Sequence, residues 1–291
     1  MRIAHLILAH NNPQHLELLV KRLSYGDDVI FIHIDKKADL IAFKHLEAYP
    51  NVVFIKNRIK VGWGAYSIVE ATLSGFKEIL AANLNFDVVN LLSGCDYPLK
   101  TPELYHQFLQ SNKGKIFMEF ELMHSNWKEA LCRIERYHLT NYEFKGKYAL
   151  QNILNRILPK RRLPGGMVPV GRSQWFTAPA ECIKYLVDFM DSTPGFKRFI
   201  EHTWAPDEFV FQTILYNSPY RAQMVNDNLR YIDWSEGKPS PKTFTIADKE
   251  KLLCCDKLFA RKFDVANHGN VIQAIDAQLD NKGEQLSVIS A

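Results

Sequence analysis

The run Ile3-Ala4-His5-Leu6-Ile7-Leu8-Ala9, closed by His10-Asn11-Asn12 and followed from Pro13 by Leu16, Leu19, Val20 and Leu23, decides how this chain folds. The run does not alternate between apolar and polar residues, so it reads as a β-strand covered on both faces. Pro13 suits a first helical position, and the spacing of the four apolar residues after it puts one side of a helix against that strand. The pattern then repeats. Val29 to Ile34 predicts a second strand and Val52 to Ile55 a third. Ser67 to Ala82 predicts a helix with Ile68, Leu73, Phe76, Ile79 and Leu80 facing inward, and Phe86 to Leu92 a fourth strand. Such alternation implies an α/β fold with a mainly parallel sheet flanked by helices. Ligands in these sheets bind in the crevice past the carboxyl ends of the strands. The rule points to His10-Asn11-Asn12, His33-Ile34-Asp35 and Ser93-Gly94-Cys95-Asp96.

The middle of the chain is less regular. Asn126 to Tyr142 reads as partly helical. Arg156 to Pro164 is basic and proline-bounded, and Gly165-Gly166 follows; it reads as a connecting excursion, mobile or facing an acceptor. Trp175 to Ala178 predicts a strand, and Ala180 to Met190 and Pro206 to Tyr216 predict helices. Leu229 to Asp233 predicts a strand and Asn270 to Asp280 a C-terminal helix. No repeat or composition shift marks a second domain. A single domain over 1–291 is expected.

Composition sets the outer limits. A hydrophobic fraction of 47% with 23% charged residues is the balance of a globular chain with a sizeable core. A net charge of +4 suits an anionic ligand such as a nucleotide diphosphate and is too small to argue for nucleic acid. The cysteines, Cys95, Cys132, Cys182, Cys254 and Cys255, are odd in number and include no Cys-x-x-Cys, against both a disulfide framework and a zinc site. Reduced, mostly buried thiols are expected. The apolar start lacks a cleavage site of small residues, and no apolar run approaches the roughly 20 residues of a membrane span. The expected location is the cytoplasm, at or near the inner membrane face. Arg156, Lys160, Arg161 and Arg162, beside Ile157 and Leu158, offer a peripheral membrane contact, although a solvated loop is the commoner outcome for such a segment.

Chemistry concentrates in a few stretches. In Trp204-Ala205-Pro206-Asp207-Glu208-Phe209, Pro206 opens a helix and both acids fall in its first turn. The helix dipole alone favours acids there; equally, Glu208 can project into a crevice as a general base. Leu258-Phe259-Ala260-Arg261-Lys262-Phe263-Asp264 holds two cations between aromatic residues. A planar guanidinium and a point-charge ammonium fixed at a core edge can neutralise a departing diphosphate, whereas most surface basic pairs are merely solvated. In Ser93-Gly94-Cys95-Asp96-Tyr97-Pro98, Asp96 either accepts hydrogen bonds from a sugar hydroxyl or stabilises a turn. In Val61-Gly62-Trp63-Gly64-Ala65, the glycines permit close backbone approach and Trp63 can pack on a base or sugar, though a tight loop with a core Trp is the commoner case.

Taken in order, His33-Ile34-Asp35-Lys36-Lys37-Ala38, Trp63-Gly64-Ala65, Ser93 to Thr101, Gly171-Arg172-Ser173-Gln174-Trp175-Phe176, Pro206-Asp207-Glu208-Phe209 and Phe259 to Asp264 resemble one family. It is that of the core-2/I-branching β-1,6-N-acetylglucosaminyltransferases and peptide O-xylosyltransferases, glycosyltransferase family 14. The resemblance covers most of the chain. It implies a GT-A-like fold and an inverting, metal-independent transfer from a UDP-sugar, N-acetylglucosamine first and xylose next, to a glycan acceptor; the chain's departures from the animal members, with no anchor and few cysteines, point to a surface polysaccharide or lipid-linked oligosaccharide in that place. It implies that Glu208 is the catalytic base and that Arg261 and Lys262 bind the diphosphate. Lys242 is a further candidate there. His10, Asp35, Trp63, Asp96, Ser173 and Trp175 would lie around the donor, with 1–110 as the nucleotide-binding half of the domain and 111–291 holding acceptor and diphosphate. No cofactor and no metal are expected, and the chain has no Asp-x-Asp. Asp248-Lys249-Glu250 comes nearest, in a charged run that reads as solvated. Gly-x-Gly-x-x-Gly, P-loop and Gly-x-Ser-x-Gly patterns are missing, the histidines lack ligand spacing, and His5 reads as a core residue. The animal members carry an anchor and many disulfides, so the chain looks like a bacterial relative. Two rivals stand beside this reading: a nucleotide-sugar hydrolase or phosphodiesterase, and a non-catalytic sugar-nucleotide-binding module.

Overall fold

The computed structural model describes residues 1–289, with side chains described to residue 281. In chain order the elements are β1 (Ile3–Ala9), α1 (Pro13–Leu23), β2 (Val29–Ile34), β3 (Val52–Phe54), α2 (Ser67–Ala81), β4 (Val88–Ser93), β5 (Tyr97–Pro98), α3 (Pro102–Ser111) and β6 (Ile116–Leu122). There follow α4 (Leu131–Glu135), α5 (Lys147–Ile157), β7 (Val170–Pro179), α6 (Ala180–Ser192), α7 (Pro194–Ile200) and α8 (Val210–Tyr216). The chain ends with β8 (Met224–Asn226), β9 (Arg230–Ile232), α9 (Lys249–Leu253), β10 (Phe259–Arg261) and α10 (Val265–Ile289).

The principal sheet has the order β3-β2-β1-β4-β7-β6-β8. The four strands from β3 to β4 run parallel, β7 is antiparallel to β4 and β6, and β8 returns parallel to β6. Strand β1 lies inside, with Ile7 opposite Ile32 on one side and Leu92 on the other. Its residues serve two apolar layers alternately. Ala4 and Leu6 face α2, α6 and α8, while Ile3, Ile7 and Ala9 face α1 and α3. This is why the sequence shows a continuous apolar run: a side chain on either face meets a helix.

A second sheet, β5-β10-β9, pairs β10 antiparallel with β5 and parallel with β9. It has its own core of Tyr97, Phe244, Phe263, Val271 and Ile275, closed by α10. Its register carries residues 259–264 back beside the end of β4, so positions far apart in sequence meet at one edge of the crevice.

Several expectations are corrected. The helix expected over Pro206–Tyr216 is two elements: a 3-10 turn at Pro206–Glu208, then α8 after a break at Phe209 with φ −143°. Leu80 of α2 faces outward. Strand β7 is ten residues long, well beyond the expected Trp175–Ala178, and the excursion expected at Arg156–Pro164 begins inside a helix, α5. The thiols are free, but only Cys182 is buried, and Cys132 and Cys254 are exposed. Asp248 is buried rather than solvated. With Thr245 it forms a capping box, the Asp carboxylate reaching back to the Thr245 N–H. His5 is a core residue whose pKa is lowered by burial, with Asp28 and Asn90 as neighbours. No helix among the described residues is long and apolar enough to cross a membrane.

Candidate active site

The sequence candidates collect into two groups that share β7. The first lies past the carboxyl ends of β1, β2 and β4. Asp35 follows β2 directly, and its Oδ1 accepts from the N–H of Lys37 at 2.9 Å and of Val61 at 3.4 Å. Arg58 donates to the carbonyls of Ile34, Asp35 and Ala38, and the Ile59 N–H reaches His33 Nε2 at 2.9 Å. The loop after β2 is thereby fixed. His10 lies within the same field, its pKa lowered by desolvation, raised in part by Asp35, and lowered again by Lys262 and Lys37. Lys37 lies 3.6 Å from Asp35, and Lys262 is close enough to His10 to act on its charge.

Asp96 is fully buried. Its Oδ2 accepts the Ser93 N–H at 3.0 Å and its Oδ1 lies 3.5 Å from Arg261 Nη1. Burial raises its pKa, and Arg261 opposes the rise. Arg261 lies over the Trp175 ring, 4.6 Å from the centroid, and is itself mostly buried. The cation is fixed by a carboxylate and an indole, and its buried Nη1 has no hydrogen-bond partner among the described residues. Lys262 has no carboxylate within ion-pair distance among the described residues. The ammonium of Lys242 is taken by Asp248 at 2.5 Å, while its backbone runs beside that of Lys262. Ser173 is buried and its hydroxyl accepts from Asn228 at 3.2 Å.

The second group surrounds Glu208. Ala205 adopts φ 47°, and its N–H donates to the Gly64 carbonyl at 2.9 Å, locking the 62–64 loop onto the turn that carries the acids. A Cβ at Gly64 would stand 2.7 Å from Trp204 Nε1, so only glycine allows the approach. Trp63 is 79% exposed and meets Trp204 edge-on at 5.7 Å. It is therefore not the core residue that its loop commonly supplies. Glu208 Oε2 accepts from Arg133 Nη1, and the Arg133 guanidinium is sandwiched by Trp127 and Trp204, each 4.7 Å away. Arg172 also lies over the Trp127 ring, at 5.6 Å. The neighbouring Asp207 turns inward. Burial, and then the Glu208 charge, push its carboxyl up to about 7.

Strand β7 joins the groups. A Cβ at Gly171 would lie 2.5 Å from the Glu208 carbonyl and 2.4 Å from Phe209 Cβ, so the acid-bearing turn rests directly on the strand backbone. Trp175, under Arg261, is four residues along, about 13 Å in an extended strand. Below them Arg230 is completely buried, donating to the Leu91 carbonyl at 2.9 Å and Thr177 Oγ1 at 3.1 Å, and so tying β9 to β4 and β7. Burial lowers its pKa to about 10.

Sequence reasoning missed Arg133, Trp127 and Arg230. Arg133 lies 75 residues from its partner, and no local pattern marks it. Arg230 sits in an expected strand, where a cation reads as outward-facing.

The sequence model of the core-2/I-branching enzymes matches residues 3–253. Xylosyltransferase 2 of Mus musculus is 26% identical over 307 residues, covering 96% of this chain and 34% of its own length. The xylosyltransferase of Ciona intestinalis is 25% identical over 299 residues with the same coverage. The chain thus spans about a third of the length of these relatives. Among solved structures, apo mouse xyloside xylosyltransferase 1 aligns with 89% of this chain and 97% of its own at 12% identity, with a TM-score of 0.39, too low to carry an argument. The match over residues 3–253 places this chain in the core-2/I-branching enzyme family, a family of glycosyltransferases.

Proposed function

We propose that the chain moves a sugar from a UDP-sugar to a hydroxyl of a glycan or lipid-linked oligosaccharide, with inversion and without a metal, on a GT-A-like sheet. The observation that carries the reading is the placement along β7: an acid-bearing turn seated on Gly171 and a fixed cation stacked on Trp175. A sugar with its acceptor at one end and its leaving diphosphate at the other needs such a pair. The named relatives make UDP-xylose a donor to test beside UDP-N-acetylglucosamine.

In this mechanism Glu208 takes the proton of the acceptor hydroxyl. The oxygen attacks the anomeric carbon from the face opposite the diphosphate, and the bond from that carbon to the diphosphate oxygen breaks. An α-linked sugar leaves as a β-glycoside. Negative charge gathers on the departing phosphate, where Arg261 and Lys262 neutralise it. Arg133, itself held between Trp127 and Trp204, orients Glu208, and Trp63 and Trp204 offer flat apolar faces to a sugar ring. Residues 1–110 supply the loops for the nucleotide, with His10, Asp35 and Asp96 around it, and Ser173 and Trp175 support the sugar side. Lys242, held by Asp248, fixes the backbone beside Lys262. Of the four cations expected to meet a membrane, Arg161 is buried and Lys160 pairs with Glu135, which leaves Arg156 and Arg162.

Glu208→Gln tests the base. Turnover should fall by about 10²–10⁴-fold while UDP still binds. Near-normal turnover in the variant would remove Glu208 from the mechanism. Rapid release of free sugar without acceptor by the unaltered chain would identify a hydrolase instead.

A further inference from the structure

Helix α5 is amphipathic in the wrong sense for a helix on a protein surface. None of its residues is buried. The side turned to the molecule is polar: Gln151 Oε1 accepts the Leu139 N–H at 2.9 Å, and Asn155 accepts the Tyr137 N–H at 2.7 Å and donates to its carbonyl at 2.8 Å. The side turned outward is apolar. At 100° per residue, Ala149, Leu150, Ile153 and Ile157 form one stripe, with Ile153 53% and Ile157 69% exposed. Leu154 and Leu158 carry the stripe into an open cleft of about 470 Å³ between α5 and α7, lined also by Leu139 and Phe199. Polar groups facing in and branched aliphatics facing out leave the apolar surface to something outside the chain.

The charges say what that is. From Phe144 to Pro164 the sequence holds Lys145, Lys147, Arg156, Lys160, Arg161 and Arg162 and no acid. Lys147 is held by the Tyr142 carbonyl, Lys160 by Glu135, and Arg161 is buried on Phe199. Lys145, Arg156 and Arg162 are exposed and have no carboxylate partner among the described residues. An aliphatic stripe flanked by free cations is complementary to an anionic lipid surface, with the aliphatics reaching the acyl boundary and the cations the headgroups.

We propose that the outward face of α5 docks on an anionic bilayer and presents the Glu208 side of the site to lipid-carried acceptors. The route is short. α5 is bonded to residues 137–139, which continue from α4, and α4 carries Arg133 against Glu208. The docking stands on α5 alone; the part about acceptors rests on the transferase reading.

The test is sedimentation of the full chain with vesicles of phosphatidylcholine, with and without phosphatidylglycerol. Binding is expected only with phosphatidylglycerol, and it should weaken as salt rises. Ile153→Ser with Ile157→Ser should lower it at least about tenfold, and Arg156→Glu with Arg162→Glu by about as much. Both variants should melt and bind UDP much as the unaltered chain does, since all four side chains are exposed and none belongs to a core cluster. Absence of binding to either vesicle overturns the proposal. So does a dimer of the unaltered chain that Ile153→Ser dissociates, which would assign the face to a second copy. Vesicle binding by a chain that fails to bind UDP would sink the transferase reading and leave the docking intact.

Discussion

Asp207 and Glu208 are adjacent in sequence, and the fold gives them opposite environments. Glu208 reaches Arg133 at the crevice, whereas Asp207 is buried and its Oδ1 has no hydrogen-bond partner among the described residues. Sequence could place both acids in one turn but could not say which faces outward, because the αL residue Ala205 that aims them has no local signature. Burial raises the Asp207 pKa from 3.8 to about 7. The folded chain therefore keeps a proton that the unfolded chain releases near 3.8, and stability falls as pH rises between those values. Asp207→Asn removes this dependence. Its Tm advantage over the unaltered chain should grow from about pH 4 to about pH 7 and then level off. An advantage of equal size across that range would show that Asp207 ionises normally. His10 feels the charges of Asp35, Lys37 and Lys262, while Asp96 pairs with Arg261. Arg261 is more enclosed than a surface basic pair because Asp96 and Trp175 hold it.

At the scale of elements, the buried parallel strands were legible because each is a bare apolar run, and β1 and β2 lie where those runs lie. Helix α5 escaped notice for the opposite reason. Its apolar residues face water in the isolated chain, so their pattern does not mark a core-facing side. The single helix expected over Pro206–Tyr216 breaks at Phe209 because the turn must sit on Gly171, a constraint from a strand more than thirty residues earlier. This contact gives a sharp prediction. In Gly171→Ala the added methyl meets backbone at Glu208 and Phe209, which cannot yield cheaply. The variant should lose about 1–3 kcal/mol of stability. A displaced base should lower turnover by about a hundredfold, with UDP binding unchanged. Equal losses of UDP affinity and turnover would mean that the turn supports the donor rather than the base.

For the molecule as a whole, the order of motifs along the chain indicated the family, and the strand-end rule pointed to the loops after β1, β2 and β4. What they could not indicate is that the second sheet folds residues 259–264 back onto Asp96, or that β7 spans the two groups. Those are long-range pairings, set by register and packing. The modest charge of +4 is distributed to purpose, with cations at the crevice and along α5. The central claim is that protein cations, rather than a metal ion, hold the donor diphosphate. Calorimetric titration with UDP, UDP-N-acetylglucosamine and UDP-xylose, each in EDTA and then in manganese, tests it most directly, with Lys262→Ala as the control. The account predicts binding in EDTA that manganese does not improve and that Lys262→Ala weakens by about ten- to a hundredfold. Binding that requires manganese, or that survives Lys262→Ala unchanged, would contradict it.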